Sequence, residues 1–264
     1  MLVLVVVAVI LMILAGIALI VKMHKNAMED NMKYEMFYFP NFPMTFKEIT
    51  IFFISDIHRR EVSPAIVEEA KGIAELVIIG GDLLEKGVQF DTVRSNLRKL
   101  KEIGPVFFVW GNNDYEADIE KLKELFAEEN VTVLDNRSVS FTSPKKQKWH
   151  LAGIEDRSLE HDDLEMALQG IKKSDFKILV SHNPKVMEDL TDDDGVTLVL
   201  SGHTHGGQIR ILGFGPYEKG TTKVIGKTTI LVSNGYGTTS IPLRLGAKPE
   251  THIIKIQHTK DKRI

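Results

Sequence analysis

The chain has 264 residues, 43% hydrophobic and 26% charged, a composition that supports one sizeable core and argues against disorder. A net charge of −3 offers no overall basic field, so no nucleic-acid partner is expected. Cysteine is absent, which excludes disulfides, thiol catalysis and thiolate metal sites and leaves His, Asp, Asn and Glu for any metal.

The first predicted element is the clearest. Residues 2–21 are apolar or small and carry no charge, long enough to cross a ~30 Å hydrocarbon layer as a helix of ~20 residues. No basic residue precedes the run, and Val21-Lys22-Met23-His24-Lys25 follows it without a small-residue cleavage site, so the pattern favours an uncleaved anchor over a removed signal peptide. Residues 1–22 are therefore expected to be a single transmembrane anchor. Lys22 and Lys25 lie on its C-terminal flank, and the positive-inside rule then puts the remaining chain in the cytoplasm, held at the cell membrane. Residues 23–47, with several Met and aromatic residues and with Pro40 and Pro43, read as a membrane-proximal linker, and 48–264 as one domain.

From Glu48 onward the pattern is strand, polar cluster, helix. A strand is predicted over 49–54, and Ser63-Pro64 opens a helix to about residue 73. A strand over 76–79 is followed by a helix with Asp91 as N-cap and Val93, Leu97 and Leu100 on one face. A strand over 106–109 and a helix marked by Ile119, Leu122, Leu125 and Phe126 come next. Short strands near 131–134, 138–141 and 149–152 look like hairpins around Ser143-Pro144, and a helix is expected over 164–171. Strands over 177–180 and 197–200 precede a tail, 228–256, of strand and glycine-rich turn. This is an α/β chain whose second half is richer in hairpins.

Five apolar runs end in polar clusters: Asp56-Ile57-His58, Gly80-Gly81-Asp82, Gly111-Asn112-Asn113-Asp114, Ser181-His182-Asn183-Pro184 and Ser201-Gly202-His203-Thr204-His205. A lone His-x-His is commonly two surface histidines in a turn, although residues i and i+2 of an extended chain do point the same way. Five clusters at strand ends are different, because ligands of α/β sheets gather at the carboxyl ends of the strands. Together they supply Asp56, His58, Asp82, Asn112, His182, His203 and His205, oxygen and nitrogen donors without sulfur. Such a set suits two divalent ions ~3.5–4 Å apart, an arrangement that clamps a phosphoryl group. Mixed carboxylate, amide and imidazole donors fit Mn, Fe or Zn.

The ordered set D-x-H, GGD, GN-x-D, SHNP and GHTH resembles the calcineurin-like metallophosphoesterase superfamily. The extension GHTHGGQIR and the tail SNGYGTTSIPLRLGAKPE look like its membrane-associated branch, which includes the bacterial YkuE and YaeI proteins. The resemblance implies a sandwich of two mixed β-sheets flanked by helices. It makes Asp56, His58 and His205 ligands of a first metal, Asp82 a bridging carboxylate, and Asn112, His182 and His203 ligands of a second. It further implies a phosphoesterase that cleaves a phosphate ester or pyrophosphate bond through a hydroxide shared by the metals. The substrate would be a phosphorylated small molecule or a lipid head group.

One position departs from that pattern. Where the family has the histidine of GNHD, this chain has Asn113, whose amide donates a hydrogen bond but delivers no proton at neutral pH. An alternative function follows, a metal-containing binding or regulatory module with little turnover. Arg59 and Arg60 beside the D-x-H loop suggest phosphate contacts, and by family likeness Gln208 and Arg244 suggest a substrate face; packing or solvation explains such residues equally well. Asp114 and Asp156 are expected either to orient ligand histidines or to form turns.

Overall fold

The computed structural model describes residues 1–259. Helix α1 (Leu2–Ala27) is almost wholly exposed and is long and apolar enough to cross a membrane. Only Met23 and Ala27, at its end, are buried. The chain then forms β1 (Met32–Phe39), β2 (Glu48–Ile54), α2 (Pro64–Ala70), β3 (Leu76–Gly80), α3 (Phe90–Lys101), β4 (Val106–Val109), α4 (Ile119–Glu128) and β5 (Thr132–Val133). The second half holds β6 (Arg137–Thr142), β7 (Lys148–Gly153), α5 (Leu164–Leu168), β8 (Phe176–Val180), β9 (Leu198–Ser201), β10 (Thr221–Ile225), β11 (Thr228–Val232) and β12 (Thr251–His258).

These strands make two six-stranded mixed sheets, β1-β12-β2-β3-β4-β5 and β10-β11-β9-β8-β7-β6. In the first, β2 to β5 run parallel and β12 is antiparallel to β2; in the second, β7, β8, β9 and β11 are parallel, with antiparallel β6 and β10 at the edges. Strand alternation decides what each face buries. Ile51 and Phe53 of β2 join Leu76, Ile78, Trp149, Ile178, Leu198 and Leu200 between the sheets, while Phe52 and Ile54 turn to the opposite face under α2, α3 and α4. Helix α5 covers the outer face of the second sheet through Ala167, against Ala152, Leu179 and Val199.

Several element boundaries differ from the sequence expectation. The 23–47 stretch contains β1, which pairs in parallel with β12 from Met32↔Thr251 to Phe39↔His258, so part of it belongs to the first sheet. Asp91 lies in the first turn of α3, and Gln89 holds the cap position. α2 ends at Ala70 because Lys71 is extended and Gly72 takes φ 75°, and α5 stops short of Gly170, also at φ 75°. β5 pairs with β4 rather than in a hairpin, whereas β6 and β7 do form the hairpin around Ser143-Pro144. β10 escaped notice because all five of its residues are exposed and its pattern has no buried face.

Candidate metal centre

The carboxyl ends of β2, β3, β4, β8 and β9 point to one place, and their following loops carry all the candidate donors. Five of these have positive φ: Asp56 (54°), His58 (51°), Asp82 (52°), His203 (69°) and His205 (49°). Left-handed backbone costs a non-glycine residue roughly 1–2 kcal/mol, and such strain persists where surrounding structure enforces it for a purpose. Here the enforcement is visible. Asp56 N–H donates to Gly81 O (3.0 Å), while Ile57 and His58 N–H both donate to Asp82 O (2.8 and 3.1 Å), which staples the β2 loop to the β3 loop. Gly202 N–H donates to His182 O (3.0 Å), joining the β9 and β8 loops. At Gly111 and Gly202 any Cβ would run into the carboxylates of Asp82 and Asp56, so only glycine lets these loops close so tightly.

Donor atoms converge in two overlapping groups. Asp56, His58 and His205 each offer an atom within 4.8 Å of the others, and so do Asp56, Asp82 and His182. Asp82 Oδ2 lies 3.2 Å from His182 Nε2 and 3.6 Å from His58 Nε2, between the two groups. Asp56 belongs to both groups. The His203 ring stands edge-on to His182 with centroids 5.0 Å apart, and its main-chain N–H donates to Asp56 Oδ1 at 3.0 Å. Asn112, Asn113, Asp82, His203 and His205 line one cleft of about 450 Å³, with Gln208, Tyr217 and Ile241 on its far wall.

Protonation follows from this crowding. Burial disfavours a charged His182, yet Asp82 beside it overrides that and pushes the imidazole up to about 10. Burial raises Asp82, but His182 and His58 hold it well below the usual carboxylate range. His205 is pushed down to about 3, chiefly by burial, with His58 and Arg244 adding like charge.

The residues around the donors hold them in place. His182 Nδ1 donates to Gly80 O (2.8 Å), leaving Nε2 for the centre. His58 Nδ1 faces Glu85 Oε2 at 3.0 Å, a carboxylate–histidine pairing the sequence reading missed. Its signal was an acidic residue in apolar context three places after Asp82, in GGDLLE. Asp114, wholly buried, accepts from the N–H groups of Asp82 (2.9 Å), Gly111 (2.8 Å) and Leu84 (3.2 Å). It pins the Asp82 loop rather than touching a histidine, and burial together with the Asp82 charge raises it to about 7. Asp156 is buried at the end of β7, with no hydrogen bond to either carboxylate oxygen among the described residues.

The expected substrate residues fare differently. Arg59 pairs with Glu85 and lines an adjoining hollow rather than the cleft itself. Gln208 does line the cleft, but its amide is engaged by Thr239 N–H (2.9 Å) and by the carbonyls of Thr239 and Ile241 (3.1 Å each). Arg244 is entirely buried. Its guanidinium faces His205 Nδ1 at 3.2 Å and donates to the carbonyls of Asn234, Gly235, Gly237, His205 and Ala247, and it does not line the cleft.

A family model described as calcineurin-like phosphoesterase matches residues 49–207. The chain belongs to this family. It is 46% identical over 245 residues to the uncharacterized protein YpbG of Bacillus subtilis, covering 92% of this chain and 93% of that one. Phosphodiesterase YaeI of Escherichia coli is 27% identical over 225 residues, covering 78% and 81%. The fold is like that of a 5'-nucleotidase precursor from Thermus thermophilus, with a TM-score of 0.51 at 14% identity over 79% of this chain and 55% of the other.

Calcineurin-like phosphoesterases bind a dinuclear metal centre, and this member offers what such a centre requires. Asn112 Oδ1 is buried without a hydrogen-bond partner among the described residues, and His182 Nε2 faces inward beside Asp82 with none. Buried polar atoms are rarely left unpaired. Hard oxygen and imidazole donors gathered in this way fit divalent ions.

Proposed function

We propose that this chain is a membrane-anchored, dinuclear metal-dependent phosphoesterase cleaving a phosphodiester or pyrophosphate bond. The observation that supports it best is the convergence of Asp56, His58, Asp82, His182 and His205 donor atoms in two overlapping groups at the floor of a cleft that Asp82, Asn112, His203 and His205 line, with Asn112 Oδ1 left for a cation. Asp56, His58 and His205 would hold one ion and Asn112, His182 and His203 the other, with Asp82 between them. Two divalent ions, when bound, supply Lewis-acid charge to the phosphoryl oxygens and lower the pKa of water.

The chain's own residues supply positioning. Asp82 is fixed by Asn113 N–H on Oδ1 (2.8 Å) and by Asp114 on its main chain, so the carboxylate does not swing when its partners change charge. Glu85 and Gly80 orient His58 and His182. Asn113 lines the cleft with its side chain shared between Asn112 Nδ2 (3.0 Å) and Glu116 Oε1 (3.2 Å). A neutral amide there can steady a phosphoryl oxygen while leaving departure to the acidity of the leaving group. This favours diesters with good leaving groups and pyrophosphates over alkyl monoesters, in keeping with a relative named as a phosphodiesterase.

α1 is read as the anchor, with the domain on the cytoplasmic side by the Lys22 and Lys25 flank. The test is a panel of p-nitrophenyl monoester, diester and pyrophosphate substrates, run with Mn²⁺ on the detergent-solubilised full chain. Metal-dependent turnover of the diester or pyrophosphate is expected. Absence of turnover with both metals bound would leave the reading of a binding module.

A further inference from the structure

The segment after the histidine pair displays apolar side chains that the fold does not bury. Ile211 is 68% exposed, Leu212 93%, Phe214 82% and Tyr217 51%, and Ile241 on the adjoining wall is 48% exposed. This is a built hairpin. Ile211 and Phe214 exchange main-chain hydrogen bonds of 2.9 Å, Leu212 turns at φ 51°, and the Arg210 guanidinium donates to the carbonyls of Gly206, Gly213 and Tyr217. Large apolar groups presented to solvent by a fixed scaffold mark a contact surface.

Its base is tied to the end of α1 by two consecutive residues. Arg244 N–H donates to Met23 O (3.0 Å), and Leu245 N–H donates to Gln208 O (3.0 Å) while Leu245 O accepts from Arg210 (2.7 Å). Asn26 Nδ2 adds a bond to Arg244 O (3.2 Å), and His24 Nδ1 lies 3.1 Å from Pro242 O. Met23 is two residues past the uncharged run that ends at Val21, about 3 Å further along a helix axis. A membrane crossed by that run therefore ends within a turn of the hairpin's base. A second hollow of about 500 Å³ lies here, lined by Ala27, Met28, Arg59 and Pro242, and it shares Ser240 and Ile241 with the metal cleft. Lys22 and Lys25, exposed at the same level, suit anionic head groups.

We propose that hairpin 209–217 inserts into the bilayer surface that α1 crosses, so that the cleft opens at head-group level onto a bilayer-resident amphiphile carrying a phosphodiester or pyrophosphate. This rests on the reading of α1 as an anchor and of the cleft as a phosphoesterase site. The bilayer is the occupant the geometry favours, because the tether fixes the hairpin within reach of it in every molecule, whereas a second copy or another protein would have to diffuse to it.

The absence of cysteine makes the test direct. Leu212→Cys in the full chain carries a single environment-sensitive fluorophore, and Lys145→Cys, in the β6–β7 turn at the other end of the second sheet, is the control. In vesicles of phosphatidylglycerol and phosphatidylethanolamine, the Leu212 label should emit as in an apolar medium and be quenched by lipids with a nitroxide near the head group, while the Lys145 label is not. Equal, water-like behaviour of both labels overturns the proposal. So does an apolar signal that lipid quenchers do not reach and that vanishes when the protein is diluted in lipid, which would mean a second copy. In the second arm, the double variant Leu212→Ser/Phe214→Ser should keep its rate on soluble bis(p-nitrophenyl) phosphate and lose about ten-fold on a dialkyl lipid with a p-nitrophenyl phosphodiester head group. Equal rates on the lipid sink the proposal. Failure of wild type on the soluble diester instead sinks the phosphoesterase reading, and the quenching result stands apart from it.

Discussion

The guanidinium of Arg244 lies 3.2 Å from Nδ1 of His205, while Nε2 of the same ring faces His58. The same residue's main-chain N–H holds Met23 O at the end of α1. One buried arginine thus connects a candidate metal ligand to the helix read as the anchor.

Arg244→Met keeps the main-chain bond to Met23 and removes the guanidinium, so it should damage the His205 end of that connection. It leaves carbonyls of Asn234, Gly237 and Ala247 without their guanidinium donor, and each buried group so abandoned costs about 1–3 kcal/mol. A loss of at least ~3 kcal/mol in denaturant unfolding of the solubilised chain is expected, together with weaker Mn²⁺ binding. A stable variant with unaltered metal affinity would show that Arg244 plays no part in holding His205.

Glu85→Gln should act more narrowly. It keeps the volume but removes the charge that faces His58 Nδ1 at 3.0 Å. Loss of such a partner typically weakens metal binding or activity by ~10–100-fold. Titration with Mn²⁺ followed by isothermal calorimetry reads this directly, and fold stability should change far less than affinity.

Much of this centre was legible in the sequence because its donors are short motifs at strand ends, and a strand end determines where its loop begins. The two-sheet arrangement followed from the resemblance, and the continuous apolar run of 49–54 agrees with a strand buried on both faces, Ile51 between the sheets and Phe52 under the helices. What escaped were features set by long-range contacts. Nothing local distinguishes Arg244, wholly buried among carbonyls, from an exposed arginine in a glycine-rich tail. Exposed β10 has no burial pattern to betray it, and β1 lies at a sheet edge where pairing with β12, more than two hundred residues away, decides its state. The left-handed φ of the ligand residues is likewise a tertiary imposition.

Asn113 offers a test of leaving-group chemistry. Its amide, held by Asn112 and Glu116, has no proton to give. Asn113→His should raise the rate on alkyl esters much more than on p-nitrophenyl esters, within the ~10²–10⁴-fold that a positioned proton donor contributes. The gain should carry a new acidic limb in the pH profile. Equal changes on both substrate types would mean that the amide only shapes the loop.

Topology can be read in cells. If the positive-inside rule holds for the Lys22 and Lys25 flank, a reporter fused to the C-terminus should behave as cytoplasmic, and the domain should resist protease added to intact cells. Digestion from outside would reverse the orientation.

The most direct measurement is metal content and turnover followed together. The full chain and Asp82→Asn are stripped with chelator and reloaded with Mn²⁺, and bound ions and bis(p-nitrophenyl) phosphate hydrolysis are recorded in the same samples. Because Asp82 Oδ2 sits between His58 and His182, wild type should bind two ions with activity rising as the second fills, and the variant should lose both occupancy and rate. Hydrolysis that is independent of metal, or an Asp82→Asn protein with two ions and normal turnover, would contradict the dinuclear centre.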